Sequence, residues 1–531
     1  MPIGVTTPES LRNNSLSPVG NSVFWWVCIL IASGLFLHSV QQGGITWDER
    51  VDFAGVKHQL KFAGNLLFGA DSKIYKDGFL SIRSDFEFYG IGTSFPAYAA
   101  SYFIDSFWRG QAHTYDKSFS LILHLIAFVC GLGASWYVGR LVFLATGQHG
   151  TSMLASVALL VTPFWIGYSF FDYKDVPIAA GLIAAVYYAA LFTEEPRPRS
   201  SVFFVAALLF LGAQKIAALP LALPACIGVA LAVMKHRSIR LACFVAVLIV
   251  VFLFLLYLVT PPSWQEPVTF LWSNFTYMSQ HLYSWCTLTA GECIGRNFND
   301  GAGYSAAKYL SLWYAVQLPV LLQVGLLAAI ILYVVRFRES KLVKHLIFAS
   351  LLWPISVLAI KNSTLYDGIR HTLFLLPLAV SFVFVSIPVW FWLRWRPFLA
   401  AYAVFLFIDT LKLQPYGYVW FNELARFYAN ESNYDTDYWG YSLKEAANLG
   451  KDNRRPNEWI IGHPHHLVAP FVPKPHTGKV ERVPQGDSYL IVRYTRSNAS
   501  APSECEMLGQ VMRHQLLAPQ PLHLSFVARC R

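Results

Sequence analysis

The sequence predicts a polytopic α-helical membrane protein of about eleven spans, with juxtamembrane helices and a small α/β unit behind the last span. Three observations carry this. Of 531 residues, 55% are hydrophobic and 14% charged, against roughly 25% charged in soluble domains. Apolar runs of about 20 residues, the length that crosses a bilayer, recur as far as residue 412. Beyond it the pattern changes to short helix-like and strand-like segments.

The runs are 22–41, 118–145, 151–170, 176–193, 201–216, 218–234, 239–260, 312–335, 345–361, 371–393 and 397–412. Pro220 and Pro224 interrupt 201–234, which reads either as a hairpin or as one kinked unit. No cleavable signal peptide is expected. The first run follows a long polar leader with little positive charge and is itself long enough to span.

Lys and Arg in short loops set the orientation. With the N-terminus in the cytoplasm, the inner loops hold Arg197 and Arg199; Lys235, Arg237 and Arg240; Arg336, Arg338, Lys341 and Lys344; Arg394 and Arg396. An odd number of spans then puts the tail outside. The expected division is a transmembrane part, 1–412, carrying the external loop 42–117, and an extracytoplasmic C-terminal domain, 413–531. The expected location is the inner (plasma) membrane. The formal charge of +10 suits basic inner loops and anionic lipid headgroups. It does not point to nucleic acid, because no basic, aromatic-interleaved domain is present.

In the tail, Ser442 to Leu449 reads as a helix. Trp459 to Ile461, Tyr489 to Tyr494 and His523 to Ala528 read as strands. Four of the eight cysteines, Cys28, Cys130, Cys226 and Cys243, fall inside apolar runs and suit core packing. Cys286 and Cys293 share an external loop, and Cys505 and Cys530 share the tail. In an oxidising compartment each pair can close a disulfide, although spacing alone fixes no connectivity.

The first external loop opens with Thr46-Trp47-Asp48-Glu49-Arg50. Thr46 and Glu49 form a T-x-x-E capping box. Phe53, Val56, Leu60, Ala63 and Leu67 then repeat at three and four, which predicts a helix lying apolar side down along the membrane surface. Glu49 is therefore either a cap or part of a site. Asp48 is either a carboxylate matched to the helix dipole or a base held at the lipid–water boundary, able to take a proton from an acceptor hydroxyl.

The acidic pair just after the first span resembles the GT-C superfamily of polyprenyl-phosphate-sugar glycosyltransferases. The likeness is in particular to protein O-mannosyltransferases and lipid A aminoarabinose transferases. Asp48-Glu49-Arg50 matches the acidic pair and Arg of the latter's first loop. Where those enzymes carry Lys-Pro-Pro, this chain has Tyr89-Gly90 to Pro96. The resemblance implies a GT-C-like helical bundle and puts the role of catalytic base on Asp48. Three further segments carry it. Phe171-Asp172-Tyr173-Lys174-Asp175-Val176-Pro177 is similar to an Asn-x-Lys-Asp-x-Pro turn of bacterial members, with Asp172 in place of Asn. Asp367-Gly368-Ile369-Arg370-His371 is similar to their Asp-Gly-x-Arg-His. Asp437-Tyr438-Trp439-Gly440 is similar to their Asp-Tyr-Trp-Gly segment.

The residues also have readings of their own. Asp175 suits an N-cap and Pro177 a first helical turn. Lys174 either snorkels or pairs with an anionic donor group. Arg370 is the best phosphate ligand by chemistry, being planar, permanently charged and able to hold two oxygens. Its alternative is a salt bridge to Asp367 or Asp48. His371 either donates to the same phosphate or packs on rings. The stretch from Gln414 through Tyr416 and Asn422 to Glu423 mixes rings with amide and carboxylate groups, which suits either sugar binding or an interfacial aromatic belt. The loop 261–311, with Trp264, Glu266, Trp272, Tyr277, His281 and Trp285, is either a lid or a plain interfacial loop. Lys215 either faces the site or snorkels. His463, His465 and His466 cluster without a partner carboxylate or Cys at metal spacing, so no metal site is expected.

The candidate site is thus Asp48 as base, with Glu49, Arg50, Lys174, Asp175, Arg370, His371, Tyr416 and Asn422 as substrate ligands. The expected partners are a polyprenyl-phosphate sugar donor, membrane lipids and a hydroxyl acceptor on a lipid, glycan or protein. No cofactor is expected; a divalent metal is compatible but not indicated. No Gly-rich phosphate loop for a nucleotide sugar occurs. The rival readings are a flippase for lipid-linked saccharides and a non-catalytic receptor or assembly subunit. Transport calls for polar midplane sites on discontinuous helices, whereas the ionisable residues here cluster at span ends.

Overall fold

A computed structural model describes residues 23–68, 86–111, 117–279, 286–294, 305–472, 477–478, 483 and 487–531. Among them, seven helices are long and apolar enough to cross a membrane, and an eighth such unit is a pair bent by 69°. Three shorter apolar helices, Pro198–Gln214, Val320–Val335 and Leu375–Ser386, complete a set that matches the eleven predicted runs one for one. The chain is a multi-pass membrane protein.

Prolines decide where the runs break. The third run is the bent pair, His149–Leu160 and Pro163–Ser169. Pro163 starts the second piece, where a missing N–H costs nothing. The eighth run is two helices, Ala306–Gln317 and Val320–Val335, parted at Leu318-Pro319. The last two runs divide differently from the sequence expectation. The helix Leu375–Ser386 ends early, and Val389–Leu413 begins directly after Pro388. Arg394 and Arg396, expected in an inner loop, therefore lie inside that last helix. The ambiguous stretch 201–234 breaks at Lys215, between the helix Pro198–Gln214 and a 3-10 turn, Ile216–Ala222, that leads into Leu223–His236.

The centre of the bundle is the helix Asp175–Glu194. It is 83% buried, against 6% for Ile239–Leu258, which faces lipid. Ala179, Ala180, Gly181, Ala184, Ala185, Ala189 and Ala190 give it a thin profile. Small side chains let neighbouring backbones approach closely in a membrane, where burial from water adds nothing. The helices Pro198–Gln214, Lys117–Thr146 and Leu223–His236 pack directly on it.

Two amphipathic helices flank the bundle, Glu49–Phe68 and Pro267–Ser279. In the first, Phe53, Val56 and Ala63 of the predicted stripe are buried, while Leu67 stays exposed. Val268, Trp272 and Phe275 are exposed on the second, as suits helices bedded in the lipid interface.

The tail forms a four-stranded sheet in the order Trp459–His463, Tyr489–Tyr494, Leu522–Cys530, Glu506–Arg513. The first pair is parallel and the other two antiparallel. The helix Leu443–Asn453 covers it, and Cys505–Cys530 ties its edge. A separate hairpin, Thr287–Thr289 with Glu292–Ile294, is closed by Cys286–Cys293. Ala290 and Gly291 turn it with φ of 52° and 83°, the positive angles that a two-residue hairpin turn requires.

Between the last span and the sheet, Tyr416, Tyr418, Trp420, Tyr438 and Tyr441 are wholly buried. They join the spans to the tail in one core. Gly44 N–H donates to the Tyr441 carbonyl (2.9 Å), so the end of the first helix, Val23–Gln42, rests on the tail. The buried Arg426–Asp409 pair (2.6 Å) does the same for the last helix.

Candidate active site

The acidic pair after the first helix divides its labour. Glu49 Oε1 accepts from the Thr46 N–H (2.6 Å) and the Thr46 hydroxyl (2.9 Å). It also meets His124 Nε2 at 3.1 Å, while Oε2 accepts from Ser120. Burial opposes its charge, but His124 and these donors outweigh it and hold the carboxyl below its usual range. Glu49 is fully buried and does not line the cavity described below. Expected as a substrate ligand, it is placed outside the cavity, its oxygens engaged by Thr46, Ser120 and His124.

Asp48, one residue earlier, faces the other way. Its Oδ2 lies 3.1 Å from Lys174 Nζ, which also reaches Asp52 Oδ2 at 3.0 Å. Asp52 stands one turn on from Asp48, on the same helix face, and accepts from the Tyr173 hydroxyl. Burial works against the Lys174 charge, but Asp48 and Asp52 raise its pKa well above the ordinary lysine value. The Tyr89 ring lies 5.3 Å from the ammonium. Lys174 is therefore a clasp between two carboxylates.

The turn before the central helix holds a second division. Asp172 Oδ1 accepts from the Lys174 and Asp175 N–H groups, at 3.2 and 3.0 Å. Asp172, not Asp175, thus caps the helix, which corrects the N-cap reading. Asp175 instead faces the cavity, 3.8 Å from Arg370 Nη1. At the entry to the tenth run, a left-handed turn, Asp367-Gly368, with φ of 57° and 69°, places Arg370. Arg370 Nη2 meets Asp367 Oδ2 at 3.2 Å. The guanidinium lies between the Tyr366 and Trp439 rings, at 5.1 and 5.0 Å. Burial penalises its charge, but Asp367, Tyr366 and Asp175 overcome this and raise its pKa. The His371 ring packs on Tyr366.

From the tail, Arg496 Nη2 reaches Asp367 Oδ1 at 2.6 Å, and its Nη1 donates to the Tyr438 carbonyl at 2.9 Å. Its turn is pinned by Ser497, whose N–H donates to Asp435 and whose hydroxyl donates to the Cys286 carbonyl.

These groups enclose one cavity of about 350 Å³. Asp48, Asp52, Lys174, Asp175, Asp367, Arg370, His371 and Arg496 line it, with rings from Trp47, Tyr89, Tyr173, Tyr277, Tyr366, Tyr438, Trp439 and Tyr494. Lys215 and Gln214, at the helix break, complete the wall. The half-buried setting of Lys215 lowers its pKa, against the pull of Asp175.

Of the sequence candidates, Asp48, Lys174, Asp175, Arg370 and His371 therefore meet in one cavity. Arg50 is exposed and outside it. Tyr416 is buried elsewhere, donating to Glu445 (2.8 Å) under the Arg513 guanidinium. Asn422 donates to the Ala315 and Leu318 carbonyls and accepts from the Leu424 and Ala425 amides. Tyr416 and Asn422, expected as substrate ligands, thus lie outside the cavity, with their polar groups bonded within the protein. In the loop 261–311, Tyr277 lines the cavity. Trp264 donates to the Tyr257 carbonyl, and His281 and Trp285 lie outside the described residues. His466 packs edge-on against Trp47, 4.8 Å away. Among the described residues, no group of three His, Cys, Asp or Glu side chains could hold a metal ion.

Neither a family model nor a curated protein sequence matches the chain. Solved structures align with it at low identity. The crystal structure of ArnT from Cupriavidus metallidurans in the apo state aligns with a TM-score of 0.46 and 11% identity, over 95% of this chain and 97% of that one. The same protein bound to undecaprenyl phosphate gives 0.44 and 11%, over 96% and 98%. The archaeal oligosaccharyltransferase AglB from Archaeoglobus fulgidus, in complex with an inhibitory peptide and a dolichol-phosphate, gives 0.36 and 10%, over 84% and 64%.

Proposed function

We propose that this chain is a membrane glycosyltransferase. It moves a sugar from a polyprenyl-phosphate donor to a hydroxyl acceptor at the extracytoplasmic face, with inversion. The N-terminus is cytoplasmic and the cavity opens toward the outer leaflet. The observation that carries the reading is the meeting of Asp48, the cations and a ring-lined wall in one cavity beside a juxtamembrane helix.

The chemistry follows from the groups. The acceptor oxygen attacks the anomeric carbon as the bond from that carbon to the phosphate oxygen breaks. The bonding pair leaves with polyprenyl phosphate, and the acceptor proton passes to the Asp48 carboxylate. Negative charge grows on the leaving phosphate, where cationic groups already in position stabilise it without reorganising. Tyr89, Trp439 and Tyr438 offer ring faces to the sugar. Lys174 holds Asp48 in place, its ammonium 3.1 Å from Oδ2.

The test uses purified full-length protein with a labelled polyprenyl-phosphate sugar. Transfer releases free polyprenyl phosphate; transport or simple binding releases none. Replacing Asp48→Asn should lower turnover by about a hundredfold to ten-thousandfold, the range of a general base, with thermal stability retained. Turnover at the wild-type rate in that variant would remove Asp48 as the base.

A further inference from the structure

The cations of the cavity differ in what they already hold. Lys174 sits 3.1 Å from Asp48 and 3.0 Å from Asp52. To take a phosphate it must release a partly buried carboxylate, and breaking such a pair is strongly unfavourable. Lys215 also lines the cavity, yet among the described residues it forms no ion pair or hydrogen bond through its ammonium. Its neighbour Gln214 lines the same wall and is 8% exposed, with a buried Nε2 lacking an acceptor. Arg370, 6% exposed, has its Nε likewise without an acceptor. Unsatisfied buried donors are rare in native proteins, so several in one cavity point to a missing acceptor.

The backbone shows how the site is built. The helix Pro198–Gln214 stops at Lys215, which is extended at φ −162°. Gly92 lies against the break and donates its N–H to the Ala213 carbonyl (2.9 Å). A Cβ on Gly92 would stand 2.5 Å from Gln214 Nε2 and 2.8 Å from the Ala213 backbone. The first external loop can therefore close over the break only with glycine there. Lys215 is within electrostatic reach of Arg370 and Asp175.

We infer that the phosphate of the donor is held at the Gln214–Lys215 break together with Arg370, and that Lys174 serves the base instead. This rests on the glycosyl-transfer reading and refines it. A phosphate there takes a charge-assisted bond from Lys215, an amide donor from Gln214 and the open Nε edge of Arg370. Asp175 is the acid on that side, and its Oδ2 has no hydrogen-bond donor among the described residues. It faces the sugar hydroxyls, which can donate to it, rather than the phosphate oxygens, which cannot.

The experiment measures binding of a polyprenyl phosphate, and of the same polyprenol without phosphate, to the full-length protein in detergent. Wild-type protein should prefer the phosphate. Lys215→Met should weaken phosphate binding about tenfold or more, the loss of one charge-assisted hydrogen bond. Lys215→Arg, which keeps the charge, should retain most of it. Lys174→Met should bind the phosphate as wild type does but lose turnover. Loss of the phosphate preference in Lys174→Met, with Lys215→Met unaffected, overturns the assignment while glycosyl transfer stands. Equal loss in Lys215→Met and Lys215→Arg also overturns it. If wild-type protein binds both lipids equally, the donor reading fails and the assignment goes with it.

Discussion

At the scale of single residues, adjacent carboxylates take different work from their surroundings. Asp172 is the clearest case. Its Oδ1 accepts two backbone N–H groups, while Oδ2 is buried with no hydrogen-bond partner among the described residues. Burial, with Asp175 next to it, pushes its pKa up to about 8. At neutral pH the proton on Oδ2 makes the side chain a near copy of asparagine. The sign of the linkage is then fixed. A carboxyl whose folded pKa is raised favours folding most below its unfolded value, and that advantage is lost as pH rises through about 8. Asp172→Asn keeps the accepting oxygen and removes the ionisation. Its thermal midpoint should exceed that of wild type by a margin that widens from about pH 5 to about pH 9. A margin that stays flat across that range would show that Asp172 does not titrate there.

At the scale of elements, close approaches set the packing. The short helix Pro163–Ser169 lies on the turn Gly417–Val419 with the two backbones in contact. A Cβ on Gly167 would stand 2.3 Å from Tyr418 N and 2.5 Å from Gly417 C. No rotamer relieves such a clash, because backbone is on both sides. Gly167→Ala should therefore lower stability by about 1 to 3 kcal/mol, as overpacking does. Gly34, on the lipid side of the first helix, has nothing within 4 Å of its added Cβ. Gly34→Ala should leave the thermal midpoint unchanged, and equal effects of the two variants would refute the contact. The same contrast explains what was legible. Each apolar run became a helical unit because length and apolarity decide membrane crossing on their own. The breaks at Pro319 and Pro388 were not read, because two or three residues barely alter the hydropathy of a run of about 20. The strand Glu506–Arg513 was missed because it is an edge with only Val511 buried, so it carries little of the alternation that marks a strand.

At the scale of the whole molecule, the site is assembled from distant parts of the chain, and this limits what sequence order reveals. Asp48, Lys174 and Arg370 each stand beside a local signal: a capping box, a turn before proline, an acidic-glycine turn. Asp52 had such a signal too, four residues after Asp48 on the same helix face. Arg496 had none, since Asp367, its partner, is 129 residues away in sequence and only the fold joins them. That link predicts how the tail should matter. Asp367 is shared between Arg370 at 3.2 Å and Arg496 at 2.6 Å. Removing Arg496 leaves the whole carboxylate to Arg370, which then binds it more tightly and is less available to substrate. It also frees the Tyr438 carbonyl beside the Trp439 ring that covers Arg370. Arg496→Ala should therefore raise the donor KM about tenfold, the value of a charge-assisted hydrogen bond in a buried site. Arg496→Lys should recover part of this, because it restores the charge beside Asp367 but not the second arm to Tyr438. A drop in thermal midpoint with an unchanged donor KM would mean that Arg496 only docks the tail. A raised KM with the midpoint intact would mean that the sheet, through this one side chain, tunes a site built mainly from membrane helices.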